Sequence, residues 1–251
     1  MVKIGKSTLV GILLLLVAVS PAQAGSDYFK KAMDAWKSVN AGTKSGEGGE
    51  LSNSEITAGL KDALKVGAEK AVKLASKPGG FLDNPEIRIP LPGQLETVAS
   101  AMRKLGMGAK VDQFEESMNH AAEKASAAAL PIFMDAIEGI TFEDAKRLLN
   151  GGDTAITEFF KENTSSQLTE AFKPIVHQSV QEVGVTKRYQ ELTGSPWVKN
   201  LVKESDFDLD NYVTSKSLDG LFHLLSQQEK EIRHDPAART TELLKKVFGG
   251  K

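Results

Sequence analysis

The stretch that decides the fold reads LSNSEITAGLKDALKVGAEKAVKLASKPGG at residues 51–80. Ser52 and Glu55 stand three residues apart before an apolar run, a pattern typical of a capping box at the start of a helix. Apolar side chains then recur every three or four residues from Leu60 to Ala75, which places them on one face of that helix. A proline and two glycines follow and end it. The stretch therefore predicts a long helix that buries one face against other elements.

The same periodicity continues through most of the chain beyond residue 93. It predicts a succession of helices joined by short connectors. The first are residues 95–105, residues 110–138 with a kink near Pro131, a helix capped by Thr141 and ended by Asn150-Gly151-Gly152, and one opened by Asp153. Then follow a helix over Leu168–Val183 with Pro174 inside, short helices at 186–192 and 196–203, one capped by Asp210 that runs to Arg233, and a terminal helix capped by Asp235 that ends at Gly249.

One segment between these helices cannot be helical. Asn84–Pro92 holds three prolines, each of which fixes φ, removes a hydrogen-bond donor and biases the preceding residue to extended geometry. Ile87, Ile89 and Leu91 alternate with polar residues or proline, so we expect an extended segment across the helices or an isolated edge ribbon. The predicted fold is all-α, a single multi-helix bundle with a short extended segment near residues 85–92 and an N-terminal helical arm.

The N-terminus predicts export. Lys3 and Lys6 precede a short apolar run, and Ala22-Gln23-Ala24 supplies the small residues that signal peptidase requires. We expect cleavage after Ala24 and a periplasmic or secreted mature chain. Residues 1–24 would then be a signal peptide, 25–40 a helical arm, 41–50 a glycine-rich flexible linker and 51–251 the helical domain.

Composition excludes several classes of function. The chain has no cysteine, which excludes disulfides and thiolate metal sites or nucleophiles. Removal of Lys3 and Lys6 with the signal leaves 33 acidic side chains against 29 basic ones, a balance that argues against a nucleic-acid partner.

Metal-ligand and catalytic spacings are incomplete. Asp206, Asp208 and Asp210 are spaced as in the first half of a calcium loop, but the glycine and glutamate that complete such a loop are missing. Glu116, His120 and Glu123 lie within two turns of one predicted helix, where a solvated face is the expected role. The sequence predicts neither a metal site nor a cofactor, and it indicates no catalytic residue.

Four motifs carry a resemblance to a known family: NPEIRIPLP at 84–92, TFEDA at 141–145, DLDNYVT at 208–214 and DPAARTTELLKKVFG at 235–249. In this order they resemble the exported bacterial family known as domain of unknown function 4197, from roughly Leu51 to the C-terminus. The resemblance implies an exported helical protein and supplies no catalytic residues.

Polar residues set among apolar ones are the candidates for a ligand site, because buried polar groups need partners. Such residues either bond other parts of the protein and stabilise the fold, or line a cleft. The candidates are Asn119, Glu123, Arg147, Lys173, Tyr189, Tyr212, Arg233, Arg239 and Thr240.

Three functional hypotheses follow. The leading one is a non-catalytic binding or interaction module of the cell envelope, whose partner would be a small amphiphile, a peptide or an envelope protein held in a groove between helices. A hydrolase-like enzyme built from the polar residues is the first alternative. A peripheral membrane protein using an amphipathic terminal helix is the second alternative. For that helix, packing against the protein core is favoured over lying on a membrane.

Overall fold

The computed structural model describes residues 52–182 and 208–235. These residues form seven α-helices and one 3₁₀ turn, and they contain no strand: α1 Asn53–Ser76, the 3₁₀ turn Gly93–Leu95, α2 Glu96–Lys104, α3 Gly108–Ser126, α4 Ala129–Glu138, α5 Phe142–Asn150, α6 Ala155–Glu182 and α7 Leu209–His234. The predicted all-α bundle is confirmed.

Helices α1 and α7 organise the packing. Helix α7 packs against α6, α1 and α3, while α1 also packs against α3, α4 and α5. Helices α6 and α7 run antiparallel, because Ile156 near the start of α6 bonds Glu229 near the end of α7, and His177 near the end of α6 pairs with Asp210 at the start of α7. Fully buried phenylalanines fill the space between the helices: Phe81, Phe114, Phe133, Phe160 and Phe172.

Two helices begin as their local sequence predicts. The Ser52 side chain accepts from the Glu55 amide and Glu55 bonds back to the Ser52 amide, which completes the capping box of α1. Thr141 and Asp144 form a second reciprocal box at the start of α5. The Thr141 hydrogen bonds hold the pKa of the Asp144 carboxyl below its usual range. Both boxes are local, so sequence alone is enough to place them.

The predicted helix at 110–138 is divided in two. Helix α3 ends at Ser126 and α4 begins at Ala129, whereas we expected one helix kinked near Pro131. Proline has no amide hydrogen and its ring collides with the carbonyl four residues earlier. That residue is Ala127, so the break falls one turn before the proline and not at it.

The polar stretch at residues 161–167 is helical and not a connector. We predicted two helices here, but α6 runs unbroken from Ala155 to Glu182 with Pro174 inside it. Short polar side chains in this stretch bond the carbonyl four residues earlier, as Thr164 does to Phe160 and Ser165 does to Lys161. These bonds accommodate Ser and Thr within a helix.

Helix α7 starts two residues earlier than predicted. Asp208, and not Asp210, is its N-cap, since the Asp208 carboxylate accepts from the amide of Asn211 at 2.8 Å. Asp210 lies in the first turn and pairs with His177. The other predicted elements lie outside the described residues: the signal, arm and linker, the short helices at 186–192 and 196–203, and the terminal helix.

Candidate functional site

Helix α3 carries a row of polar side chains that holds the non-helical segment 77–92. Glu115, Asn119 and Glu123 follow one another at four-residue spacing, which places them one above the next on a helix. Glu115 accepts from Arg88 at 2.7 Å, while the other two bond backbone groups of the segment. We call Glu115, Asn119 and Glu123 the α3 polar row.

Asn119 pairs with the backbone of the extended segment as a neighbouring strand would. Its Oδ1 accepts from the Ile89 amide at 2.8 Å, and its Nδ2 donates to the Ile89 carbonyl at 3.0 Å. Nδ2 also donates to the carbonyl of Glu115 on its own helix. Asn119 and Ile89 are both buried, so this one side chain satisfies two main-chain groups that have no other partner in a helix or sheet.

Glu123 is a buried carboxylate bonded to main-chain donors. Its Oε1 accepts from the amides of Phe81 and Leu82 at 3.1 and 3.3 Å, and its Oε2 lies 3.0 Å from His120 Nδ1. The hydrogen bond to Glu123 raises the pKa of His120, with Glu116 adding to the effect. The solvated face expected for these residues is therefore wrong at Glu123, which is 5% exposed, because the segment 77–83 covers it.

Tyr212 joins helix α7 to the same segment. Its hydroxyl donates to the Pro90 carbonyl at 3.0 Å, one residue beyond the pair made by Asn119. Burial raises the pKa of Tyr212, and the negative charge of Glu115 adds to this. The structure thus brings three sequence-predicted candidates, Asn119, Glu123 and Tyr212, to one segment.

Arg233 lies elsewhere, in a buried pair with Glu229 that ties three helices. Glu229 accepts from the amides of Ile156 and Thr157, at 3.0 and 2.9 Å, and so caps the N-terminus of α6. Arg233 donates to the carbonyl of Leu148 at 2.8 Å, near the C-terminus of α5, and to Glu229 Oε1 at 2.8 Å. The carboxylate therefore meets the positive end of one helix dipole and the guanidinium the negative end of another.

Sequence reasoning missed Glu229 and gave its role to Asp153. Asp153 instead pairs with His234 at 2.7 Å on the surface. The available signal was the four-residue spacing of Glu229 and Arg233 beside the apolar Leu225 and Ile232, which indicates a charge pair on a buried face.

The remaining candidates do not join either group. Arg147 is exposed and pairs with Asp144 within α5, and Lys173 is exposed on α6. Tyr189, Arg239 and Thr240 lie outside the described residues. Candidates in the described ranges therefore fall at separate places and do not line one cleft.

Among the hollows lined by described residues are a small one and an open one. One lies between α1, α6 and α7 against Gly67, Leu225 and Glu229, and its volume is about 10 Å³. That is room for about one water molecule, whereas ligand sites measure roughly 300–1,000 Å³. The other is a shallow, open depression of about 340 Å³ around Lys173, His177 and Asp210.

Within residues 52–182 and 208–235 there is neither a cluster of metal ligands nor a single membrane-spanning helix. No group of three or more His, Asp or Glu side chains there is arranged to hold a metal ion. No single helix in these ranges is long and apolar enough to cross a membrane; only α3–α4 and α5, bent by 109° relative to each other, reach the required length and composition together.

The fold and these contacts define a class: an all-α bundle whose buried polar side chains bond main-chain groups of neighbouring elements. The chain belongs to the family described as "Protein of unknown function (DUF4197)", which matches residues 50–249. The family predicted from the four motifs is therefore confirmed. No match was found among curated proteins or among solved structures.

Proposed function

We propose that this chain is an exported, non-catalytic interaction protein of the bacterial cell envelope that meets its partner through its outer surface. The observation that carries the proposal is the use of the buried polar groups. Asn119 and Glu123 bond main-chain atoms of the segment 77–92, Glu229 bonds those of α6, and Arg233 bonds those of α5. Groups engaged in this way stabilise the fold and are not poised to transfer a proton to a substrate.

The hollow between α1, α6 and α7 supports the same conclusion for small ligands. An amphiphile would need an enclosed site of several hundred cubic ångströms. This hollow has about 10 Å³, and the depression around Lys173, His177 and Asp210, of about 340 Å³, is open to solvent. A peptide or envelope component bound on the outer surface needs no such cavity. Export rests on the residues before Gly25, where a positive start, an apolar run and a small-residue site follow one another.

In-cell photo-crosslinking tests the proposal. A photoreactive amino acid is placed singly at exposed positions of different helices, for example Val66, Leu105 and Lys161. We expect an adduct of one discrete mass at neighbouring positions of one face, and none on the opposite face. The intact mass of the purified product should equal that of a chain that begins at Gly25.

A parallel turnover assay gives the result that would overturn the proposal. The purified chain is incubated with chromogenic esters, phosphate esters and glycosides, together with a Glu123→Gln variant and an exposed control, Glu116→Gln. Turnover that disappears in Glu123→Gln, while its circular dichroism spectrum stays native and Glu116→Gln remains active, would identify an enzyme.

A further inference from the structure

The most exposed large apolar side chain in the described ranges is Leu105. It is 64% exposed, and the next is Val66 at 36%. Single apolar residues on a surface are common, so exposure alone indicates little. What distinguishes Leu105 is the turn that displays it and the charge around it.

The turn between α2 and α3 is fixed by its backbone. The Met107 amide donates to the Met102 carbonyl at 2.9 Å and the Gly106 amide to the Arg103 carbonyl at 3.1 Å, the paired bonds of a Schellman motif. Gly106 has a φ of +78°, a conformation that favours glycine. Arg103 also reaches across the turn to Asp112 on α3 at 2.8 Å. Leu105 is therefore presented by a rigid turn.

The charge around Leu105 is opposite to that of the whole chain. Residues 103–112 hold three basic side chains and one acidic one, while the chain as a whole has a net charge of −2. The single acid, Asp112, pairs with Arg103, and Lys104 and Lys110, which precede and follow Leu105 in the sequence, are both exposed. Lys110 stands in the first turn of α3, where a cation opposes the helix dipole. Helix stability therefore does not account for it.

We propose that the α2–α3 turn, residues 104–110, is a contact site for the anionic surface of a phospholipid bilayer. Leu105 enters the boundary between headgroups and acyl chains, and Lys104 and Lys110 meet lipid phosphates. A bilayer is favoured over an acidic protein because the contact is one apolar side chain at a turn, whereas a stable protein interface needs about 800 Å² from each partner. The membrane site identifies an anionic bilayer as the partner of the proposed interaction protein, and this inference rests on the proposed function.

Vesicle sedimentation at low ionic strength tests the site. The mature chain is mixed with phosphatidylglycerol vesicles and with phosphatidylcholine vesicles. We expect binding to the first, weakening as salt is added, and little to the second. Lys104→Gln with Lys110→Gln should weaken binding about 25-fold, at roughly fivefold per lysine. Leu105→Ser should weaken it roughly tenfold. The charge-matched control, Lys73→Gln in the last turn of α1 with Lys77→Gln directly after it, changes two exposed lysines and should bind as the wild type does.

Insertion is read separately from charge attraction. The chain has no cysteine, so Leu105→Cys carries a polarity-sensitive dye at one position, and Val66→Cys serves as the exposed apolar control. Anionic vesicles should shift the Leu105→Cys emission to the blue and leave that of Val66→Cys unchanged. Absence of wild-type binding, or equal loss in the α1 control, would overturn the membrane site. Photo-crosslinks to a protein at Leu105 would then leave the broader interaction proposal standing.

Discussion

Replacing Glu229 with alanine should destabilise the protein more than any exposed substitution on the same helix. Glu229 has 1% of its side chain exposed and accepts from two main-chain amides of α6, from the Thr157 hydroxyl and from Arg233, whose side chain is 9% exposed. Removing one partner of a buried ion pair costs about 3–5 kcal/mol, because the other charge stays buried without compensation. At roughly 2–4 °C per kcal/mol in a domain of this size, the melting temperature should fall by about 6–20 °C.

Glu231→Ala is the matched control, because it makes the same change two residues away on α7. Glu231 is 47% exposed in its pair with Lys70, so we expect a change within about 1 kcal/mol. Urea denaturation of both variants gives the free energies, and hydrogen exchange should show the amides of Ile156 and Thr157 opening faster only in Glu229→Ala. Equal stability of the two variants, or unchanged exchange at Ile156 and Thr157, would refute the cap assigned to Glu229.

Two other predictions concern close packing and pH. Gly220→Ala should cost about 1–3 kcal/mol in urea denaturation, because its new Cβ would lie 2.6 Å from Phe81 Cε1, whereas Gly67→Ala meets nothing closer than 3.7 Å and should stabilise α1 by about 0.5–1 kcal/mol. Equal effects would contradict the close approach at Gly220. Glu123 raises the pKa of His120 in the folded protein. The pair therefore contributes fully to the free energy of unfolding below the pKa of His120 in the unfolded chain, near 6.5, and this contribution is lost as the pH rises through the pKa of His120 in the folded protein. The unfolding free energy should therefore fall more between pH 6 and 8 in the wild type than in His120→Gln, and parallel pH profiles would show that the pair contributes nothing.

The helices were predictable from sequence wherever their signals are local. The capping boxes at Ser52 and Thr141 involve residues three apart, so no knowledge of the fold is needed to place them. The sequence predicts the bend at Pro131, but the break lies at Ala127, because the proline ring collides with the carbonyl one turn earlier. The polar stretch inside α6 was read as a connector because its periodic apolar signal fades there.

The polar contacts were only partly predictable, because their partners lie far away in the chain. The sequence indicates that Asn119 and Glu123 are polar residues on an apolar face, but not that they bond Ile89 and Phe81, 30 and 42 residues away. The cap supplied to α6 by Glu229 comes from a residue 73 positions later. Such contacts follow from tertiary packing, and no local spacing encodes them.

One measurement separates the residues that stabilise the fold from those that we propose to contact the membrane. Asn119→Ala leaves two buried main-chain groups of Ile89 without partners, so it should cost about 2–5 kcal/mol of stability. Affinity for phosphatidylglycerol vesicles is measured for Asn119→Ala and Leu105→Ser at a temperature where circular dichroism shows both to be folded. We expect Asn119→Ala to melt earlier and bind as the wild type does, and Leu105→Ser to melt as the wild type does and bind roughly tenfold more weakly. Loss of affinity in folded Asn119→Ala, with Leu105→Ser unaffected, would place the site at the α3 polar row and contradict a membrane contact at the α2–α3 turn.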